Sequence, residues 1–307
     1  MNKKIYFITG PTAIGKSKFA LNLSKEINGE IINADSMQIY KELKVLTARP
    51  SSHDNKKIQH HLYGYINGNE RFNVEKWCLD AVNTINILNK KNITPVFVGG
   101  TGLYIETLIK GITPIPTIPE KIKEASNKLF EDLGVNDFHE LVYKLDPESV
   151  RKISKNDSQR LKRVWEVHNY TNIKFSSWQK KENKKFLKSA DFKIIIFLPD
   201  RKKNYDRVDE RVLKMMTNGA IEEVKKLINL NYEKTLPIMK AHGVPEIISL
   251  LEKSISLEEC IEKMQLVTRH YVKRQNTWWK STKLPIHEKF NQFPDEIDLN
   301  STNLTHF

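Results

Sequence analysis

The chain has 307 residues, 39% of them apolar and 28% charged, enough for one large domain or two smaller ones with a buried core. Its longest apolar run, residues 194–198, falls far short of the roughly 18 to 20 residues a membrane span requires, and the amino end leads straight into a strand-like segment. Cys78 and Cys260 lie far apart with no CxxC or Cys/His cluster around them, which excludes a disulfide framework and a structural zinc site. The expectation is a monomer of the reducing cytoplasm with no membrane attachment.

Fifty Lys and Arg against 37 Asp and Glu leave a net charge of +13. Lys, Asn and Ile are abundant throughout, as a biased coding composition alone produces, so the placement of the charge carries more weight than its total. Residues 151–214 hold 19 Lys and Arg against 8 Asp and Glu, a concentration that points to an anionic macromolecular partner.

In chain order, residues 5–9, 31–34, 96–98 and 194–198 are short β-branched or aromatic runs that stop at turn or polar residues, as buried parallel strands do. Between them, residues 16–27 repeat apolar side chains at Phe19, Ala20, Leu23 and Ile27, and residues 74–88 do so at Trp77, Ala81, Ile85 and Leu88. That alternation predicts an α/β protein with a parallel sheet flanked by helices, and the phosphate-loop motif at residues 10–17 makes the expected sheet P-loop NTPase-like. From about Pro114 the rhythm breaks at Pro116 and Pro119, and the segments that follow read as helices with no convincing strand. A core from residues 1–115 and 190–307, with a mostly helical insertion at 116–189, is expected. Ser256 and Glu259 form a capping box ahead of a long helix whose stripe runs through Cys260, Met264, Val267 and Tyr271. Beyond Glu288 the periodicity fades and a frayed tail is expected.

Gly10-Pro11-Thr12-Ala13-Ile14-Gly15-Lys16-Ser17 matches G-x-x-x-x-G-K-[ST], directly after one strand and directly before one helix. Glycines at its ends let the backbone wrap so that amides point inward, and the helix adds its positive dipole end. Lys16 supplies a cation for phosphate oxygens, and the Ser17 hydroxyl suits Mg2+. Such a loop serves ATPases, small-molecule kinases and transferases that release diphosphate, so it fixes the ligand class without fixing the reaction.

Asp35 ends the second strand and projects from the carboxyl edge of the sheet toward the loop. It suits a general base, and equally a helix cap. Gly99-Gly100-Thr101-Gly102 ends a third strand and aims the Thr101 hydroxyl at the same edge. Asp35 and Asp200 are the only strand-end carboxylates available as a second Mg2+ ligand, which disfavours an energy-coupling ATPase. Arg201, Arg207 and Arg211 follow the strand at 194–198, either as a phosphate grip or as a solvated face balanced by Asp206, Asp209 and Glu210. Adjacent His60 and His61 read as packing or turn residues, and Trp278 and Trp279 as packing.

Six strings together, GPTAIGKS from Gly10, DSMQIY from Asp35, TARP from Thr47, GGTGLY from Gly99, NDSQRLKR from Asn156 and KRQNTWWK from Lys273, span nearly the whole chain. In order and spacing the chain resembles the tRNA dimethylallyltransferases. The resemblance implies transfer of a dimethylallyl group from dimethylallyl diphosphate to N6 of adenosine 37, beside the tRNA anticodon, with Mg2+ assisting and diphosphate leaving. It implies that Asp35 is the general base, that Thr101 orients that base or a diphosphate oxygen, and that Lys16 stabilises the leaving charge. It assigns residues 10–17 with Arg201, Arg207 and Arg211 to the diphosphate. It gives Asp35, Ser36, Met37, Gln38 and Thr101 to the incoming adenine, and Gln159, Arg160, Leu161, Lys162 and Arg163 to the anticodon stem-loop, with Lys273, Arg274 and Lys123 extending that surface. Gly64 and the Gly243-Val244-Pro245-Glu246 turn depart from the family pattern, the first removing a usual carboxylate and the second altering a turn. A P-loop kinase for a small metabolite, or a transferase acting on free adenine nucleotides, would share the phosphate loop but need no basic insertion.

Overall fold

The computed structural model describes residues 4–187 and 191–304. The domain boundary expected at residues 189 and 190 lies outside the described residues. Two compact units make up the chain, Met1–Ile109 with Phe186–Phe307, and Lys110–Lys185.

Six parallel strands, β1 (Ile5–Thr9), β2 (Gly29–Asn33), β3 (His60–His61), β4 (Thr94–Gly99), β5 (Phe192–Phe197) and β6 (Glu288–Phe290), form one sheet in the order β3-β2-β4-β1-β5-β6. The helices, in chain order, are α1 (Lys16–Glu26), α2 (Ser52–Lys57), α3 (Val74–Lys90), α4 (Gly102–Lys110), α5 (Glu120–Leu145), α6 (Pro147–Val150), α7 (Ser158–Thr171), α8 (Phe175–Gln179), α9 (Arg201–Thr217), α10 (Ala220–Ile228), α11 (Val244–Leu251) and α12 (Leu257–Ser281).

The strand period of two splits the apolar side chains between two faces. Ile5 and Phe7, Ile32, Phe97, Ile194 and Ile196 share one core with Trp77 and Ala81 of α3, Tyr104 of α4 and Met264 of α12. Tyr6 and Ile8, Ile31, Val96 and Val98, Ile195 and Phe197 share the other with Phe19, Ala20 and Leu23 of α1. A sheet covered on both faces needs continuous apolar strands, which explains why the strand runs in the sequence show no polar alternation.

Two segments depart from the sequence expectation. The described residues beyond Glu288 do not fray: β6 pairs with β5 in parallel, and Phe293 and Leu304 are buried against the sheet. His60 and His61 form β3 beside β2, and His61 Nε2 meets Glu30 Oε2 at 2.6 Å. A strand of two or three residues carries too few positions for a period to be read. Ser256 and Glu259 do form the expected capping box, with Ser256 N donating to Glu259 Oε2 at 2.8 Å and Glu259 N to Ser256 Oγ at 3.2 Å.

The unit Lys110–Lys185 holds α5 to α8 around Phe138, Val142, Val150, Leu161 and Val164. Buried Asp146 knits it together, accepting from Ser149 N and Oγ at 3.2 and 2.7 Å and from Ser176 N at 2.7 Å. Burial alone would raise the pKa of this carboxyl, but those hydrogen bonds hold it below the usual range.

The carboxyl edge of the sheet depends on close backbone contact where β4 passes the end of β2. A Cβ built on Gly99 would lie 2.1 Å from the Ala34 carbonyl oxygen. Gly99→Ala should therefore lower the unfolding free energy by about 2 to 3 kcal/mol, read as a shifted urea midpoint. An unchanged midpoint would contradict so close an approach.

Candidate active site

The loop after β1, the turn after β2 and the turn after β4 all emerge at the carboxyl edge, where open parallel sheets bind ligands. Gly10 opens the phosphate loop at φ 139°, and a Cβ there would stand 2.4 Å from the Phe197 carbonyl oxygen; only glycine allows the loop to start against β5. Gly15 precedes α1 and gives no side-chain cap, and the first turn of α1 has no acidic residue. The first amides of α1 thus lack a side-chain cap, and the positive helix end faces an anion site.

Residues of the loop, Thr12, Ala13, Gly15, Lys16 and Ser17, line a polar cavity of about 170 Å³ together with Asp35, Gln38, Thr47, Gly100, Arg211 and Gln275. Pro11 and Ile14 are buried behind it. The Lys16 side chain is only 9% exposed, and its Nζ donates to the Pro11 carbonyl at 2.5 Å. Burial pulls the Lys16 pKa down to about 7; the Asp35 carboxylate opposes the shift and Arg211 adds to it. Burial likewise lowers the pKa of the Arg211 guanidinium against the pull of Asp35, while Arg211 Nη1 donates to Thr12 Oγ1 at 3.0 Å. A buried lysine and a half-buried arginine facing one carboxylate leave a surplus of positive charge for a ligand anion to neutralise.

Asp35 is held in place by its neighbours. Its amide donates to Asn33 Oδ1 at 2.8 Å, its Oδ1 accepts from Met37 N at 2.9 Å, and Asn33 Nδ2 donates to the Asp35 and Leu62 carbonyls at 2.9 and 3.0 Å. Ser36 N donates to Thr101 Oγ1 at 3.1 Å, so Thr101 fixes the turn that carries Asp35. Gln38 lines the polar cavity with its Nε2 donating to the Thr47 carbonyl at 2.8 Å.

On the far side of Asp35 a second cavity of about 190 Å³ opens among Met37, Leu46, Val208, Val212, Met215 and Met264, with Tyr271 and His242 also in its wall. Thr12, Asp35, Thr47 and Arg211 line both cavities. Burial pushes the Tyr271 phenol well above its usual pKa, and Asp35 adds to that. Burial and the neighbouring Arg274 lower the pKa of His242, so both side chains are neutral near pH 7.

The donor set fits Mg2+. One exposed hydroxyl, Ser17, and one carboxylate, Asp35, border a phosphate-sized cavity, which suits an ion that keeps phosphate oxygens and waters as its main ligands. Among the described residues no group of three His, Cys, Asp or Glu could hold an ion without such help.

Not every candidate from the sequence gathers here. Arg207 makes a bidentate pair with Asp295 at 2.8 and 3.1 Å and stacks on Phe293 at 3.6 Å, lining neither cavity. Arg201 and Lys273 line a different groove with Lys280 and Asn276. Arg274 lies over the Tyr271 ring at 5.5 Å. Asp200 caps α9, accepting from Lys203 N at 2.9 Å. In the unit Lys110–Lys185, Gln159 and Arg160 are exposed and Lys162 and Arg163 partly so. Arg160 pairs with Asp157 at 2.9 Å, Lys162 donates to Asn127 at 2.9 Å, Arg163 faces Glu166 at 3.8 Å and Lys123 pairs with Glu120 at 2.9 Å. Leu161 is fully buried in that unit's core, so its side chain packs inward and presents nothing to a partner.

Gln275 is the functional residue that sequence reasoning missed. It is buried on α12, its Oε1 accepts from Thr12 N at 2.8 Å and its Nε2 donates to the Gly100 carbonyl at 3.0 Å, joining the phosphate loop to the turn after β4. A polar residue within an apolar helix stripe, between Val272 and Trp279, is the signal that could have found it. Trp279 is buried in the core, and Trp278 packs where a Cβ on Gly102 would stand.

A model of the IPP transferase family matches residues 38–282. The chain belongs to this family. A protein named tRNA dimethylallyltransferase from Pelagibacter ubique (strain HTCC1062) is 42% identical over 275 residues, 90% of this chain and 88% of that one. Another of the same name, from Wolbachia pipientis subsp. Culex pipiens (strain wPip), is 42% identical over 309 residues, 100% of this chain and 99% of that one. Among solved structures, the full-length tRNA isopentenylpyrophosphate transferase from Bacillus halodurans is similar with a TM-score of 0.69 and 28% identity, covering 97% of this chain and 92% of that one. A eukaryotic dimethylallyltransferase acting on tRNA reaches a TM-score of 0.80 at 26% identity, covering 97% of this chain and 76% of that one. No helix among the described residues of this chain is long and apolar enough to cross a membrane.

The depressed pKa of Lys16 has a measurable sign. Below pH 7 the free chain already carries the charge, whereas above it an anion must draw a proton onto Lys16 in order to bind. Affinity for an alkyl diphosphate should fall as pH rises from 7 to 9, by up to about tenfold per unit, and the fall should vanish in Lys16→Met once the ligand's own titration is subtracted. Equal pH profiles for the two proteins would contradict the buried, half-neutral lysine.

Proposed function

We propose that this chain transfers the dimethylallyl group of dimethylallyl diphosphate to N6 of adenosine 37 in tRNA, releasing diphosphate. The position of Asp35, where a polar cavity and an apolar one meet, is the observation that carries the reading. A diphosphate suits the polar side, with its loop amides and the cations Lys16 and Arg211. A branched five-carbon chain suits the apolar side, where a kinase would need room for a second polar substrate. The names of the relatives and structural neighbours support the same activity.

In this reading Lys16, Arg211 and the first amides of α1 hold the diphosphate and stabilise the negative charge that grows on it as the bond between the allylic carbon and oxygen breaks. Ser17, with diphosphate oxygens, would hold Mg2+, which supplies further charge neutralisation at the leaving group. The adenine amino nitrogen forms the new bond to carbon and gives its proton to the free oxygen of Asp35, whose other oxygen is engaged by Met37 N. Thr101 keeps that carboxylate aimed by holding Ser36. Gln38, its amide nitrogen committed to the 47–48 turn, presents its oxygen to an entering amino group. Tyr271, Met37 and the methionines of the apolar wall exclude water from the allylic centre.

An adenine reaches such a cavity only after leaving its stack. The exposed Arg160 and partly exposed Arg163 of α7 and the cationic stretch around them suit the phosphates of an anticodon stem-loop, which favours tRNA over free adenine nucleotides.

Asp35→Asn keeps the shape of the site but removes the proton acceptor. Turnover on tRNA should fall at least about a hundredfold, while the dissociation constant for tRNA stays within about twofold; retained turnover would reject Asp35 as the base. Replacing Arg160 and Arg163 together by Ala should weaken tRNA binding and reduce the steepness of its salt dependence by about two charges. An unchanged slope would remove α7 from the RNA surface.

A further inference from the structure

The carboxylate of Glu223, on α10, accepts hydrogen bonds from three consecutive backbone amides, Lys44 N at 2.6 Å and Val45 N at 2.7 Å to Oε1 and Leu46 N at 3.0 Å to Oε2. Nothing in the reaction described above uses this residue. Three amides converging on one carboxylate form a nest of the kind that otherwise binds a free anion, and charge-assisted bonds of this type are roughly twice as strong as neutral ones. The segment so gripped is not inert. Leu46 ends it and Thr47 follows directly, Leu46 lining the apolar cavity and Thr47 lining both. The Thr47 and Ala48 carbonyls hold Gln38 Nε2 at 2.8 and 3.4 Å, and Ala48 sits at φ 48°, an unusual conformation for a residue with a Cβ. Thr47 Oγ1 closes the turn on the Leu43 carbonyl at 2.7 Å. A strained turn persists only where its surroundings impose it, and Glu223 holds it from one end while Arg49 Nη2 donates to the Lys41 carbonyl at 2.9 Å.

We infer that Glu223 is a positioning residue for acceptor recognition: by clamping the amides of residues 44–46 it sets the turn whose carbonyls orient Gln38 toward the incoming base. The inference rests on the tRNA-modifying reading of the site: Gln38 and Thr47 share the polar cavity with the phosphate loop, but in that reading the diphosphate charge is met by residues 10–17 and Arg211 and not by the turn that Glu223 clamps.

The test compares Glu223→Ala, Glu223→Gln, Gln38→Ala and the double variant Glu223→Ala/Gln38→Ala, alongside the wild type, using an anticodon stem-loop RNA and dimethylallyl diphosphate. Glu223→Ala should lower kcat/KM for the RNA by about tenfold or more and leave the dissociation constant for dimethylallyl diphosphate within about twofold. Glu223→Gln, which keeps an acceptor oxygen but loses the charge, should recover part of the loss. The double variant should be no more than about twofold worse than Gln38→Ala, because both act through one turn. Losses that multiply, or a diphosphate affinity that falls as far as RNA turnover, would overturn the inference by showing a general structural role. Should Glu223→Ala fail to fold, Glu223→Gln against Gln38→Ala gives the same comparison. Amide hydrogen exchange at Lys44, Val45 and Leu46 tests the clamp apart from the reaction: faster exchange in Glu223→Gln is expected, and unchanged protection would overturn it. A wild type that modifies no RNA while those amides remain protected by Glu223 would count against the proposed reaction and leave the clamp standing.

Discussion

Lys16 holds its ammonium where two influences oppose it. Burial removes the water that would solvate the charge, and the positive end of α1 and the Arg211 guanidinium lie close by, while the single nearby carboxylate compensates only in part. The arrangement is costly for the chain alone and favourable once a doubly or triply charged anion enters. Much of the sheet-bearing unit can be read as the means of keeping that cost in place: Gly10 lets the loop start against β5, Gly99 lets β4 pass the end of β2, and Gln275 ties the loop to the turn after β4. A looser loop would let water in and Lys16 would regain an ordinary pKa, with less to gain from binding a diphosphate.

Asp35 depends on the same arrangement in the opposite sense. It lies beside the two cations, and its direction is set by Asn33, Met37 and Thr101 through Ser36. In the proposed reaction a proton acceptor needs a fixed position relative to both the leaving group and the nucleophile, and Asp35 lines both cavities. The apolar side answers a different requirement. A carbon centre that loses an oxygen substituent reacts with any water that reaches it, and Met37, Leu46, Val212, Met215 and Met264 leave little for water to hold there.

The sequence made the phosphate loop, the four longer strands and the helical character of the middle segment legible, because each is encoded locally: a fixed glycine and lysine spacing, apolar runs bounded by turns, prolines followed by a helical period. It was silent where meaning depends on a distant partner. Arg207 reads as a phosphate ligand from its spacing to Arg211, yet Asp295, 88 residues on, takes its guanidinium. The residues past Glu288 look aperiodic because a three-residue strand and two short 3₁₀ turns have no period to show, and their order comes from β5 and from the apolar face they cover. Leu161 stands in a basic string but obeys the helical stripe of α7 and points into the core. Gln275 was hidden within a motif whose charged members drew the attention, and its role needed the loop and the β4 turn to be seen within reach of one amide. Gly64, a departure noticed in the sequence, gains a physical reason: its missing side chain is where the Arg49 guanidinium lies.

Product analysis reaches the central claim most directly. Unmodified transcript tRNA incubated with the wild-type chain, dimethylallyl diphosphate and Mg2+, then digested to nucleosides and examined by mass spectrometry, should yield adenosine carrying one dimethylallyl group and an equal amount of free diphosphate. Unmodified nucleosides throughout, or release of diphosphate without a prenylated base, would contradict a site that couples a buried anion cup to a carboxylate at an apolar wall.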